Sequence, residues 1–363
     1  MDATTRASAL FIAIGVGVAG LYFFRDILAP FALAVFLWLI MDGFANAIRR
    51  FSAEMIPRRL ALGVAVVVVF AGAAAVIAVI TSSAADFARQ STAYAQRIDQ
   101  LINELYVALS VPNDAPTVSE YLSETGVGGF FRQLAGTVQG VASNALFVFI
   151  YVAFLFAAQA TFPKKMSAIF RDQAGRSQAK EVIGRVRVSM ERYLAVQTFV
   201  SAITAATCYV TLSVLGLENP LFWAFLIFLF NYIPTVGSIV ATILPVLFAL
   251  VQFDTLWQPA AVLVGVGFWQ FLIGNFIQPR MQGENLNLAT IVVLLGLVMW
   301  GAIWGLPGMF LSSPLTVLVM VMFNQSETTR WIAILLSADG RPELGGAEVT
   351  AAKQAANENA ETS

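Results

Sequence analysis

The sequence predicts an all-α fold: a polytopic membrane helix bundle of about eight hydrophobic segments, two of them broken or re-entrant, with a helical extracytoplasmic insertion. Three observations predict it. Hydrophobic residues make up 58% of the 363 residues and charged residues 12%, about half the charged fraction of a water-soluble domain, and mean hydropathy is +0.77. Apolar runs recur near the length of roughly 20 residues that crosses a ~30 Å hydrocarbon core. Lys and Arg are concentrated in alternate loops, which is how a bundle fixes its orientation.

The runs lie at residues 8–24, 27–41, 60–80, 141–161, 194–215, 221–250, 257–276 and 288–325. Arg6 ahead of the first run imitates a secretory leader. Pro30 and a second run follow at once without a clean cleavage site, so residues 8–24 read as an uncleaved first span. The second run is short and begins beside Pro30, which predicts a tight hairpin around Arg25 and Asp26. The loop at 42–59 carries Arg49, Arg50, Arg58 and Arg59; the linker at 162–192 carries Lys164, Lys165, Arg171, Arg176, Lys180, Arg185, Arg187 and Arg192 against three acids. Both are expected on the cytoplasmic side. The segment at 82–140 has three Arg against Asp86, Asp99, Glu104, Asp114, Glu120 and Glu124, and is expected on the other side.

Within that outer segment, Tyr94, Ile98, Leu101, Ile102, Leu105 and Leu109 recur at helical spacing between Phe87 and Leu109. Pro112, Pro116, Gly126, Gly128 and Gly129 then break regular structure. The organisation expected is N-terminal membrane helices at 1–81, the outer segment at 82–140, a membrane core at 141–337 that includes the basic linker, and a disordered cytoplasmic tail at 338–363. The N-terminus is expected in the cytoplasm, and the C-terminus with it.

The residues that are missing narrow the chemistry. Histidine is absent and the one cysteine, Cys208, lies in an apolar run, where it reads as a packing residue. No nucleophile–base pair, metal cluster or phosphate loop can be assembled, so neither an enzyme nor a metal or other cofactor is expected. With a net charge of −1, nothing points to nucleic acid. Asp42, Glu218, Asp254, Glu284 and Glu327 all sit near the ends of runs rather than inside them, whereas proton and cation transporters usually carry an intramembrane carboxylate.

The informative runs are 221–250 and 288–325, which as straight helices would reach roughly 45 Å and more than 50 Å. Both carry the means to break. The first has Asn231, Tyr232, Pro234, Thr235, Gly237 and Ser238, then Pro245; the second has Gly301, Gly305, Pro307 and Gly308, then Pro314. Gly/Pro-interrupted segments in two parts of a bundle point to a transporter's binding site, because freed backbone groups are tolerated only beside protein or a polar cavity. The plainer reading is a pair of ordinary kinks. The cavity set comprises Asn231, Tyr232, Thr235 and Ser238 with Gln270, Asn275 and Gln278, flanked by the backbone-breaking Pro234, Gly237, Gly305, Pro307 and Gly308. Each polar member has an alternative role as a local interhelical hydrogen bond.

The run Asn275-Phe276-Ile277-Gln278-Pro279-Arg280-Met281-Gln282-Gly283, then Leu286-Asn287-Leu288, Trp300-Gly301, Trp304-Gly305, Pro307-Gly308, Leu311 and Pro314-Leu315, resembles the autoinducer-2 exporter family of bacterial permease-like proteins. Ile233-Pro234-Thr235-Val236-Gly237 with Pro245, and Arg192-Tyr193-Leu194 with Gln197, are similar to further motifs of that family. Ala289-Thr290 stands where a Ser-Pro pair is expected, and Ser238 where a Pro is common; both departures bear on the substrate more than on the fold. The resemblance implies a bacterial inner-membrane secondary exporter of a small polar solute such as autoinducer-2, assembled as a homo-oligomer, plausibly a pentamer. A sodium or lithium/proton antiporter is the runner-up and would need Asp254 or Glu284 drawn inward. A non-transporting membrane scaffold is the reading of a different class. The partners expected are a small-molecule or ion substrate and membrane lipid, with the basic linker available to anionic headgroups.

Overall fold

The computed structural model describes residues 3–52, 55–108, 145–159, 161–169, 172–282 and 287–342. In chain order the helices are α1 (Ala3–Phe23), α2 (Arg25–Phe51), α3 (Arg58–Arg89), α4 (Ser91–Ala108), α5 (Ala145–Gln159), α6 (Phe162–Ile169) and α7 (Gln173–Val214). They continue as α8 (Pro220–Phe230), α9 (Val236–Gln252), α10 (Trp257–Leu272), a π-helical turn (Ile273–Ile277), α11 (Gln278–Gln282), α12 (Thr290–Trp304), α13 (Leu306–Asn324) and α14 (Arg330–Leu336). Five stretches are long and apolar enough to cross a membrane: Arg25–Arg50, Arg58–Phe87, Gln173–Val214, Trp257–Met281 and Leu306–Asn324. Shorter apolar helices, including Ala145–Gln159, fill the rest. Exposed Val67, Phe154, Val210, Val264 and Val298 form outward faces that suit lipid and not water. The molecule is an all-α, multi-pass membrane protein.

Four expectations about the elements are revised. Arg25 and Asp26 do not turn the chain back on itself. Phe24 alone separates α1 from α2, and the bonds from Phe24 N to Gly20 O (3.0 Å) and from Leu28 N to Phe24 O (2.9 Å) carry the ladder across, so the junction is a bend. Helix α2 runs on to Phe51, beyond the apolar run that ends at 41, because Asp42 is buried against arginines and so does not end the helix. The basic linker is helical from Gln173 onward and continuous with the fifth span in one 42-residue helix, capped by the Asp172 carboxylate accepting from Gly175 N at 2.7 Å. The expected tail is tied down at its start: Asn287 Nδ2 donates to Asp339 Oδ1 (2.9 Å) and to Arg341 O (2.6 Å), and Asn324 Nδ2 donates to Pro342 O (3.1 Å). The Arg341 backbone N–H, at 2.9 Å, and the Asn287 amide both donate to the exposed Asp339 carboxyl and hold it below its usual range. In the outer segment, Phe87 lies in the last turn of α3 and the amphipathic stretch is α4, entered through a single turn residue, Gln90. Leu109 and the Pro/Gly stretch after it lie outside the described residues, as does the tail from 343 onward.

The long runs 221–250 and 288–325 are antiparallel helical hairpins. In the first, Gln252 closes the root by accepting from Glu218 N (2.8 Å) and donating to Gly216 O (2.9 Å). The rings of Trp223 and Phe248 meet near the root at 5.1 Å. At the tip, a Cβ on Gly237 would lie 1.8 Å from the Phe230 carbonyl oxygen. In the second, Trp300 Nε1 donates to Thr316 Oγ1 at 3.2 Å, and a Cβ on Gly308 would lie 1.9 Å from the Trp300 carbonyl oxygen. Helix α8 has 11 residues, about 16 Å of rise, too short to cross the core and return as a full span.

Helix α7 serves as a ruler for the two hairpins. Its Val214 end meets the root of the first, where Leu212 and Leu217 pack with Trp223. Its other end, at Val186 and Met190, packs on Leu288, Val317, Met320 and Leu336 at the root of the second. Met190 and Val214 are about 36 Å apart along the helix, so the hairpins enter from opposite faces. The acidic face also holds α4: Tyr94 donates to Glu218 Oε2 at 2.7 Å, and Arg97 to the Asp254 carbonyl at 3.0 Å. Burial and the Glu218 carboxylate push the Tyr94 hydroxyl up, so it stays a donor at any ordinary pH. The basic face gathers the 42–59 loop and the first part of α7, because Asp42 accepts from both Arg58 and Arg187.

The glycine contacts yield a stability test. Gly237→Ala and Gly308→Ala each force a methyl into a backbone carbonyl and should cost at least the roughly 1–3 kcal/mol of core overpacking. Gly267→Ala, where the added Cβ meets nothing, should leave the thermal midpoint in detergent unchanged or slightly raised.

Candidate substrate pathway at the hairpin tips

The first tip is built by a proline, a glycine and one strained residue. After Phe230 the helix tightens, with Tyr232 N bonded to Leu229 O (3.2 Å) and Ile233 N to Phe230 O (2.8 Å). Pro234 brings no N–H, and the chain reverses at Thr235, whose φ of 59° and ψ of −58° are unusual for a β-branched residue. Val236 N reaches Pro234 O at 2.6 Å, closing a γ-turn of the rare positive-φ kind. Such a residue stores about 1–3 kcal/mol, and the close Gly237–Phe230 approach holds it in place.

Around this tip, side chains on three elements form one polar network inside the apolar bundle. Gln197 Nε2 of α7 donates to the Asn231 carbonyl at 2.7 Å, satisfying a group freed by the break. Asn231 Nδ2 donates to Ser201 Oγ at 3.0 Å. Gln278, the first residue beyond the π-helical turn, donates to Gln197 Oε1 at 3.3 Å. Thr198 Oγ1 and the Tyr232 hydroxyl share a hydrogen at 2.7 Å. All these groups are neutral amides and hydroxyls.

The second tip differs in character. Gly305 reverses the chain at φ 65°, ψ −142°, a region open only to glycine. Pro307 starts α13, where its missing N–H costs nothing. The indoles of Trp300 and Trp304 spend their N–H groups on Thr316 Oγ1 and on Leu21 O (3.0 Å). The hairpins touch where Tyr232 stacks on Phe310 with centroids 4.6 Å apart, and Phe36 of α2 seals the pair edge-on at 5.3 Å from Phe310.

Of the residues expected at the cavity, Asn231, Tyr232 and Gln278 come together. Pro234 and Gly237 shape the same tip. Gly305, Pro307 and Gly308 shape the other tip, away from the polar network. Three polar residues stand elsewhere or are spent locally: Thr235 is exposed, Ser238 Oγ donates to Thr235 O (2.8 Å), and exposed Asn275 donates to Phe271 O of its own helix (2.9 Å). Gln270 carries a buried Nε2 with no hydrogen-bond partner, on α10, in the same membrane-length stretch Trp257–Met281 that delivers Gln278 to the network. Thr198 and Ser201 were missed. The signal for Ser201 was a polar stripe on α7, where Gln197, Ser201, Thr204 and Cys208 recur on one helical face inside an apolar run. Asp254 is not drawn inward: it is exposed in the turn between α9 and α10, and Glu284 lies outside the described residues. Among the described residues the buried carboxylate is Asp42.

The profile described as AI-2E family transporter matches residues 10–328. The chain belongs to that family. AI-2 transport protein TqsA of Escherichia coli K12 is 27% identical over 323 residues, covering 88% of this chain and 92% of that protein. A Haemophilus influenzae Rd protein is 28% identical over 326 residues, with coverage of 88% and 92%. Escherichia coli YhhT is 26% identical over 331 residues, with 90% and 92%. The names of the last two assign transport without a substrate. This AI-2E family chain is a membrane transporter and not an enzyme.

Gln270 supplies a test in which the sign matters. An unpaired buried donor costs roughly 1–3 kcal/mol, so Gln270→Leu should raise the thermal midpoint in detergent. A fall would mean that the amide has a partner on which folding depends.

Proposed function

We propose that this chain exports a small polar solute across the bacterial inner membrane as a secondary transporter, with autoinducer-2 the first candidate. The observation that carries the reading is the meeting of two oppositely inserted hairpins at Tyr232 and Phe310, beside the Gln197–Asn231–Ser201–Gln278 network. Paired interrupted segments with their breaks near the midplane are how secondary transporters build a site that faces either side in turn. The roots are held, one by α4 and Gln252, the other by α14 and Asn287. Alternating access is therefore assigned to movement where the tips meet.

The neutral donors and acceptors suit an uncharged or weakly charged oxygen-rich solute. The name AI-2 transport protein, carried by a relative that aligns along most of both chains, supports the candidate. The basic face is placed in the cytoplasm and the acidic face with α4 outside. A homo-oligomer, a pentamer by the family resemblance, is part of the same proposal.

The test is efflux of autoinducer-2 from vesicles holding the purified chain, with and without an imposed pH gradient. Wild type should release it, and Gln197→Leu should slow release about tenfold by leaving the Asn231 carbonyl unpaired. Equal release by both chains would remove the network from the pathway. No release from folded wild type would reject autoinducer-2, and sodium/proton exchange in the same vesicles would then favour the antiporter reading.

A further inference from the structure

Asp42 has no part in the polar network, yet its side chain is fully buried. Its two oxygens serve two other helices. Oδ1 accepts from Arg58 Nη2 at 2.9 Å, at the start of α3, and Oδ2 accepts from Arg187 Nη2 of α7. Arg187 is committed three ways, since its Nε also donates to Glu191 Oε1 at 2.7 Å and its guanidinium lies over the Trp38 ring at 5.3 Å. Asn46, one turn along α2, adds a longer bond to Oδ2 at 3.4 Å. Two cations thus converge on one buried anion, and the three charges come from three helices.

The position of this cluster is what gives it a role. On α7, Gln197 lies ten residues beyond Arg187, about 15 Å toward the other face. On α2, Phe36 lies six residues before Asp42, about 9 Å in the same direction. The walls of the first tip, Phe36 on one side and Gln197, Thr198 and Ser201 on the other, therefore stand on the two helices that Asp42 joins. Between tip and cluster, α2 and α7 share apolar clusters: Leu39 and Ile40 pack on the one that holds Tyr193 and Leu194, and Leu39 also on the one that holds Met190. Apolar faces slide past one another with little directional cost. A buried carboxylate shared by two guanidiniums does not, because parting it leaves charges unpaired in a poorly solvated place.

We infer that Asp42 is a positioning residue for transport, clamping α2 to α7 and closing the pathway between the hairpin tips and the basic face. The inference rests on the transport reading for its importance but not for its test, which reads access rather than flux. Removing the carboxylate takes away the ionic tie of α2 to Arg187 of α7 and to Arg58 of α3, leaving only apolar contacts between α2 and the network's helix, and opens the network to that face.

The chain's one cysteine, Cys208, is buried, so a single new thiol can be followed on a Cys208→Ala background. Ser201→Cys places it in the network, where Ser201 is fully buried. Full-length protein in vesicles of each orientation is treated with a membrane-impermeant maleimide. With Asp42 intact, labelling should be slow from both sides. With Asp42→Asn it should rise at least tenfold from the basic face only. The exchange Asp42→Glu, which keeps a carboxylate for both arginines, should hold it near the starting rate. Should Asp42→Asn not reach the membrane, Arg187→Gln, which removes the α7 half of the clamp at a partly exposed position, should raise labelling from the same face. Unchanged labelling in a folded Asp42→Asn chain overturns the inference, as does labelling that rises equally from both faces, which is the mark of a fold staple. Loss of autoinducer-2 efflux by wild type with one-sided labelling intact would overturn the substrate and leave the clamp standing.

Discussion

In hydrocarbon, a backbone N–H or C=O that leaves its helix has no water to bond with, and each group left unpaired is a large cost. The rest of this molecule is arranged around that constraint. A chain that breaks two apolar segments inside a membrane must supply partners for what the breaks release. At the first break a γ-turn, two tightened turns and the Gln197 amide take up the freed groups. At the second, Gly305 N turns back to Gly301 O at 2.8 Å, and the fold dispenses with polar side chains there. The hairpins are compact because Gly237 and Gly308 let backbone meet backbone.

The difference between the two tips follows from how each break is satisfied. Where a side-chain amide answers a backbone carbonyl, its remaining donors and acceptors need company, which draws in Ser201 and Gln278. A small hydrogen-bonding surface results, in a bundle that is otherwise apolar. Where glycine alone makes the turn, the indoles of Trp300 and Trp304 fill the space and their N–H groups are spent on Thr316 and Leu21. One tip carries hydrogen-bonding side chains, the other packed indoles. The Tyr232–Phe310 stack is where they meet.

Charge is kept at the two ends of the molecule. On the acidic face, Tyr94 and Arg97 tie α4 to the root of the first hairpin. On the basic face, Asp42 binds α2, α3 and α7 together. The network at the first tip, between them, is made of neutral amides and hydroxyls. The ionic contacts at the ends tie together helices that are distant in the chain.

Much of this was legible in the residues themselves. The apolar runs and the Lys/Arg bias gave the spans, because burial in lipid is a property of composition and length. Pro234 with Gly237, and Gly305 with Pro307 and Gly308, located both breaks, because those residue types forbid or permit backbone angles wherever they stand. Which polar side chains gather at a break was not legible, and Asn275 and Ser238 show why: both lie near the π-helical turn or the tip, yet helical phase directs Asn275 outward and a carbonyl three residues back takes up Ser238. Asp42 read as a carboxylate near the end of a run, and only the convergence of residues 58 and 187 made it a buried anion. The sequence by itself determined the solvent, the helices and the places where they fail, since these depend on local chemistry. The opposite insertion of the hairpins, the meeting of Tyr232 with Phe310 and the sharing of Asp42 were decided by the tertiary structure, since each depends on which distant helix occupies the neighbouring space.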